Sequence, residues 1–218
     1  MKKLIITSIL AGAVNVSYAA LITGDHPYVG ANADYLFVKF DHTISQRTPP
    51  GAATSAIDYR NGLTGSVDAG YQWITVNNFV YSIETDYRSI DISHTKYGNT
   101  SDTTKIFRDN IGLRFGMGKV FLQQFEMLGL IGVDYGRFSF NSRDAHDGSN
   151  PFNNDYARPG ITFGAGALYE LTTHWATRLN YECTAFRHKT NITGDNGRYE
   201  RDGSTKTNLI EWGISYYF

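Results

Sequence analysis

From residue 28 onward the chain alternates, with large or apolar side chains at every second position and small or polar ones between them. A period of two belongs to β-strands whose two faces meet different surroundings. Eight such stretches are predicted. In residues 28–40, Val29, Ala31, Ala33, Tyr35 and Phe37 oppose Gly30, Asn32 and Asp34. In 62–73, Leu63, Gly65, Val67, Ala69, Tyr71 and Trp73 oppose Thr64, Ser66, Asp68 and Gly70. In 79–92, Phe79, Tyr81, Ile83, Thr85 and Tyr87 oppose Ser82, Glu84, Asp86 and Arg88. In 106–118, Phe107, Ile111, Leu113, Phe115 and Met117 oppose Arg108, Asn110, Gly112, Arg114 and Gly116. Residues 126–140, 160–171 and 175–186 repeat the pattern, with Asp134, Glu170, Arg178 and Glu182 on the polar side. The last stretch, 207–218, is the most regular: Ile210, Trp212, Ile214, Tyr216 and Phe218 against Leu209, Glu211, Gly213, Ser215 and Tyr217.

The connections alternate long and short. Residues 41–57, 93–104, 141–158 and 187–206 are polar and rich in turn formers, and are predicted as long loops. Residues 75–78, 119–124 and 172–174 make tight turns. An even strand count with long loops at one end predicts an all-β fold, an eight-stranded antiparallel up-and-down transmembrane β-barrel with the apolar face on lipid. A soluble barrel of the lipocalin type would turn that face inward. Against it stand Phe218, the aromatics near strand ends (Tyr28, Trp73, Phe79, Trp175, Trp212) and the four polar loops at one end.

Composition agrees. Among 218 residues there are 22 Gly, 15 Tyr, 13 Phe and a single Cys. Mean hydropathy is −0.33, and no stretch is apolar for the length of a spanning helix. The first residues explain export: Lys2 and Lys3, an apolar run from Leu4 to Val16, then Ser17-Tyr18-Ala19, a small-x-small site. Residues 1–19 are predicted to be a cleaved secretory signal peptide, leaving 20–218 as one barrel domain. Without Lys2 and Lys3 the 20 basic side chains become 18 against 21 acidic ones, a net charge of −3. That balance gives no ground for nucleic-acid binding.

The terminal strand resembles the C-terminal signature of bacterial outer-membrane β-barrels, carried here by Trp212, Ile214, Tyr216 and Phe218. Tyr28-Val29-Gly30-Ala31, Ala69-Gly70-Tyr71-Gln72 and Ala176-Thr177-Arg178-Leu179-Asn180-Tyr181 resemble the transmembrane domain of the outer membrane protein A family and the small opacity/porin-like barrels. The likeness covers residues 28–218. It implies a bacterial outer-membrane location and recognition of the last strand by periplasmic chaperones and the barrel-assembly machinery. It also implies a lumen charge network: Arg178 matches the family's lumen arginine, Glu84 its glutamate, and Arg114 the place of a basic partner. The family's second lumen glutamate aligns with Leu168, the nearest acid being Glu170. Glu211, on the inward side of the last strand, completes the expected network with Glu84, Arg114 and Arg178.

By strand parity the lumen charges are Asp34, Asp68, Glu84, Asp86, Asp134, Glu170, Glu182 and Glu211 against Arg88, Arg108, Arg114 and Arg178. An eight-stranded lumen has room only for side chains, so these are read as a hydrogen-bonded plug. No catalytic residue and no cofactor is expected. One stretch weighs the other way: His188-Lys189-Thr190-Asn191 resembles the His-x-Ser-Asn of outer-membrane lipid A deacylases, with Thr190 in the nucleophile's place. The histidines at 26, 42, 94, 146, 174 and 188 lack the close spacing of metal ligands. Cys183 is a small filler facing lipid. Long loops on a rigid scaffold commonly carry binding. The leading reading is therefore a non-enzymatic structural protein contacting an extracellular or host-surface ligand through its outer loops. A small-solute pore and a lipid A deacylase are the alternatives.

Overall fold

The computed structural model describes residues 25–48, 54–96, 101–121, 124–144, 152–194 and 197–218. The segment read as a signal peptide lies outside them. Eight strands follow one another: β1 (Asp25–Thr48), β2 (Thr54–Ile74), β3 (Phe79–Lys96), β4 (Ser101–Phe121), β5 (Phe125–Asp144), β6 (Phe152–Glu170), β7 (Trp175–Gly194) and β8 (Gly197–Tyr217). Each pairs antiparallel with its neighbours in the chain, and β1 pairs with β8 to close the barrel. Closure removes both sheet edges, which is the condition for strands to span hydrocarbon.

The alternation becomes two surfaces. Outward-facing Leu63, Val67, Ile83, Leu113, Val133, Phe163 and Leu179 are exposed, while inward-facing Asp34, Asp86, Asp134 and Glu182 are buried. The register gathers the outward aromatics into belts. Tyr216 of β8 lies opposite both Val29 and Trp175 at the lower rim. Six residues up β1, Tyr35 lies opposite Leu63 and Ile210, and Ile210 opposite Tyr181. On the other side Tyr87, Ile111, Tyr135 and Pro159 form the matching row. The tight turn at 75–78 closes with Asn78 N–H donating to the Thr75 carbonyl at 2.9 Å, and Asn78 takes φ of 61°. Asn tolerates that left-handed conformation better than other non-glycine residues.

Four sequence expectations are corrected. First, most of residues 41–57, 93–104, 141–158 and 187–206, read as long loops, continues the strands. Above the apolar band the outward face of the strands is polar like much of the inward one. The apolar alternation disappears there although the backbone ladder goes on. Second, Tyr28 is not an interface aromatic. It is 5% exposed and points into the lumen, its ring 5.2 Å from that of Tyr217. Third, Trp212 faces lipid but sits inside the apolar band, between Ala33 and Leu179, rather than at a strand end. Fourth, Arg108 faces out. The β4–β5 register slips between Phe107 and Asp109, an irregularity that leaves Arg108 unopposed and reverses parity above it. Phe107, read as outward, is 1% exposed inside the barrel.

Two ladders stop early. β2 and β3 pair from Ile74↔Val80 up to Gly65↔Ser89, and β6 and β7 from Glu170↔Ala176 up to Gly160↔Phe186. The other six continue toward the outer rim, for example to Lys96↔Thr103 and Gly194↔Gly197. Pro159, which has no N–H to give, is the first β6 residue beyond its ladder's end. Above those points the wall is slit on two sides, into a β3–β4–β5–β6 leaf and a β7–β8–β1–β2 leaf.

Candidate functional site

The lumen is filled in three layers. The lowest is aromatic and amide. Tyr28, Tyr217, Leu168 and Ala176 form a buried cluster. The Tyr217 hydroxyl donates to Gln72 Oε1 at 3.0 Å, and Gln72 Nε2 donates to buried Glu126 at 2.9 Å.

The middle layer holds the charges. Arg178 reaches Asp68 at 2.6 Å, Glu84 at 2.5 Å and Glu211 at 3.3 Å, and its Nε donates to Asn32 at 3.2 Å. Arg88 reaches Asp34 at 2.7 Å and Glu211 at 3.1 Å. Arg114 bonds Glu182 with both Nε and Nη2 at 2.8 Å, Asp134 at 3.2 Å, and Asp86. Three guanidiniums thus face seven carboxylates. Neutral donors supply the rest: the Tyr28 hydroxyl to Glu84 at 2.7 Å, Asn32 to Asp68 at 2.8 Å, Asn180 to Glu211 at 2.9 Å, and the Thr162 hydroxyl to Asp134. Buried charge is tolerable only when partnered in this way. Glycines make the room. A Cβ at Gly112 would collide with Arg114, Asp86 and Asp134.

Of the four network residues named from sequence, Glu84, Arg178 and Glu211 come together. Arg114 stands opposite Glu84 in the β3–β4 register, but its guanidinium turns to Asp86, Asp134 and Glu182. Asp68, Asp86, Glu182 and Arg88 belong to the layer as fully, and strand parity was the signal for them. Between the lower and middle layers lies a cavity of about 30 Å³, bordered by Tyr28, Gln72, Glu84 and Arg178. That is room for water, not a passage.

The upper layer is apolar. Leu36, Val38, Phe40, Ile90, Ile92, Phe107, Phe138, Phe186 and Leu209 form one buried cluster with Tyr156 packed against it. Phe107 and Phe138 stack with centroids 4.6 Å apart, and Phe186 meets Phe138 edge-on at 5.3 Å. The polar-lumen expectation did not include this layer. Its signal was present in Tyr35-Leu36-Phe37-Val38, a run apolar on both parities, as in strands buried on two faces.

On the lipid side, Trp212, Ile214 and Phe218 are exposed on β8 and just beyond it, and Tyr216 packs edge-on to Trp175 at 5.0 Å. Trp212 Nε1 donates to the Thr177 hydroxyl at 3.1 Å. Cys183 also faces out, its thiol donating to Asn208 Oδ1 at 3.0 Å. Residues 188–191 continue β7 opposite 203–200 of β8. The side chains of His188 and Thr190 lie outside the described ones. Among the described residues no group of His, Cys, Asp and Glu is arranged to hold a metal ion.

The model of the outer membrane protein β-barrel domain family matches residues 6–218. The 31 kDa outer-membrane immunogenic proteins of Brucella melitensis and Brucella suis are each 24% identical to this chain over 243 residues, covering all of both chains. Among solved structures, OprG of Pseudomonas aeruginosa aligns with a TM-score of 0.60 at 14% identity, over 91% of this chain and 99% of that one. Ail of Yersinia pestis aligns at 0.46 and 11% identity, over 90% and 99%. At 14% identity the likeness to OprG speaks for the fold alone.

Proposed function

The chain belongs to the outer membrane protein β-barrel domain family, and from that premise we propose that it is a closed, non-enzymatic structural barrel of the outer membrane that uses its outer rim for surface contact. The observation that carries this is the doubly filled lumen. A solute would have to break the Arg88–Arg114–Arg178 layer and also displace the Phe107–Phe138–Phe186 cluster. The described part of that rim is strand wall. Ile57 and Tyr59 stand 55% and 69% exposed on β2, above the Tyr35 belt. Large apolar side chains exposed on a rigid wall at the rim suit a protein or glycan partner. The immunogenic name of the Brucella relatives fits a surface-exposed barrel.

Two measurements test the reading. In planar bilayers the purified protein is expected to give no steady single-channel current. Cells displaying it are expected to bind a host-cell layer less well after Ile57→Ser with Tyr59→Ser. A large stable conductance would move the assignment to a small-solute pore, and binding unaffected by the double variant would remove the rim from the proposal.

A further inference from the structure

We propose that the groove at the β2–β3 slit binds the phosphorylated headgroup of an outer-leaflet glycolipid. The groove encloses about 590 Å³ where the β2–β3 ladder has ended, a volume in the range of ordinary ligand sites. Its floor is apolar, from outward-facing Phe37 and Leu63. Its upper wall carries Lys39 of β1 and Lys206 of β8.

The register makes these lysines unusual. Lys39 and Lys206 are directly opposite in the β1–β8 ladder. Like charges in that relation repel across about 5 Å between Cβ atoms. The local compensation is thin. Lys39 meets exposed Asp41 at 3.7 Å and lies 5.9 Å over the Tyr59 ring. Lys206 has no ion pair among the described residues. The other leaf differs at the same height: Arg137 is bound by Asp109, and Arg108 lies 3.8 Å from Asp155. A phosphate shared between Lys39 and Lys206 would turn their repulsion into two attractions.

Height selects the source of the phosphate. Lys39 is ten residues above Val29 on the same face. A tilted strand climbs about 25 Å over ten residues, the height of a barrel's apolar band. The lysines therefore stand where outer-leaflet headgroups begin, directly above Tyr35. An acyl chain can run down the wall over Phe37 and Leu63. Asn208 and Asp91, also at the groove, are acceptors for sugar hydroxyls. Asp91 would repel a bare anion, which favours a glycolipid whose phosphate sits on the lysine side.

The test uses the full mature barrel in phosphatidylcholine vesicles, alone or doped with bisphosphorylated lipid A, dephosphorylated lipid A or phosphatidylglycerol. A ligand that binds the folded state raises its thermal midpoint. Bisphosphorylated lipid A is expected to raise it. Lys39→Gln with Lys206→Gln is expected to abolish most of the rise, and Arg137→Gln on the opposite leaf to leave it intact. If the double variant fails to assemble, Lys206→Gln alone carries the test and should lose about half of the rise, one of its two lysines being gone. An equal rise in wild type and lysine variants overturns the proposal. So does a rise reproduced by dephosphorylated lipid A, by phosphatidylglycerol or by inorganic phosphate in the buffer, since each removes the phosphate or the sugar from the recognition.

Discussion

Replacing Arg178 by Ala removes the hub of the charged layer. Its guanidinium holds Asp68, Glu84 and Glu211 at once, and it is 6% exposed. Breaking one buried pair costs roughly 3–5 kcal/mol, chiefly because the partner is left charged and unpartnered. Three pairs do not triple the loss, because each carboxylate keeps a second donor: Asn32 for Asp68, Tyr28 for Glu84, and Arg88 with Asn180 for Glu211. The expected loss is thus that of about one pair, roughly 3–5 kcal/mol. With a urea slope of about 2–3 kcal/mol per molar, the unfolding midpoint in lipid vesicles falls by about 1–2.5 M. Tryptophan fluorescence and the gel shift of the heat-modifiable barrel both report it. Adding Asp68→Asn and Glu84→Gln should recover part of the loss, because the neutral side chains no longer need the guanidinium. The charge swap Glu84→Arg with Arg178→Glu should recover little, since the new carboxylate would face Asp68 and Glu211. A midpoint unchanged in Arg178→Ala would refute the reasoning and imply a water-filled lumen.

Phe186→Ala is expected to cost about 3–5 kcal/mol of stability, as for other buried Phe truncations, yet to leave the barrel electrically silent, since the charged layer below stays intact; calorimetry and planar bilayers check the two halves. Phe218→Ala should leave protein accumulating in the periplasm without the compact gel band, through loss of the final aromatic of the β8 signal. N-terminal sequencing of the exported protein should begin at Ala20. Lipid A isolated from cells expressing the wild type or His188→Ala should show the same acyl number by mass spectrometry; loss of one chain in the wild type alone would revive the deacylase reading.

Most of the membrane band was legible because one face meets lipid and the other does not. The eight alternating stretches map onto β1 to β8, and Asp34, Glu84, Asp134, Arg178 and Glu211 take the inward parity they were given. Three things were not legible. A register slip carries no residue signature, so nothing in Ile106-Phe107-Arg108-Asp109 shows that Arg108 turns out and Phe107 in. Strands polar on both faces lose their period, so the upper wall reads as loop. Side-chain reach is invisible to parity. Arg114 and Glu84 are neighbours by register, yet the long guanidinium crosses the lumen to Glu182 on β7.

The two slits change what the apolar layer is for. Leu36, Val38, Phe40, Phe186 and Leu209 come from the β7–β8–β1–β2 leaf, and Ile90, Ile92, Phe107 and Phe138 from the other. At Gly62, past the end of its ladder, an added Cβ would come within 3.3 Å of Ile92 Cγ1 across the slit. Where backbone hydrogen bonds no longer join the halves, hydrophobic packing does. The cluster is a rivet through two free-standing ribbons rather than a stopper dropped into a tube. Below it the hoop is stiff, because every strand is bonded on both sides. Above it each ribbon is anchored at one end, and among the described residues those nine side chains, with Tyr156 packed against them, couple one rim to the other.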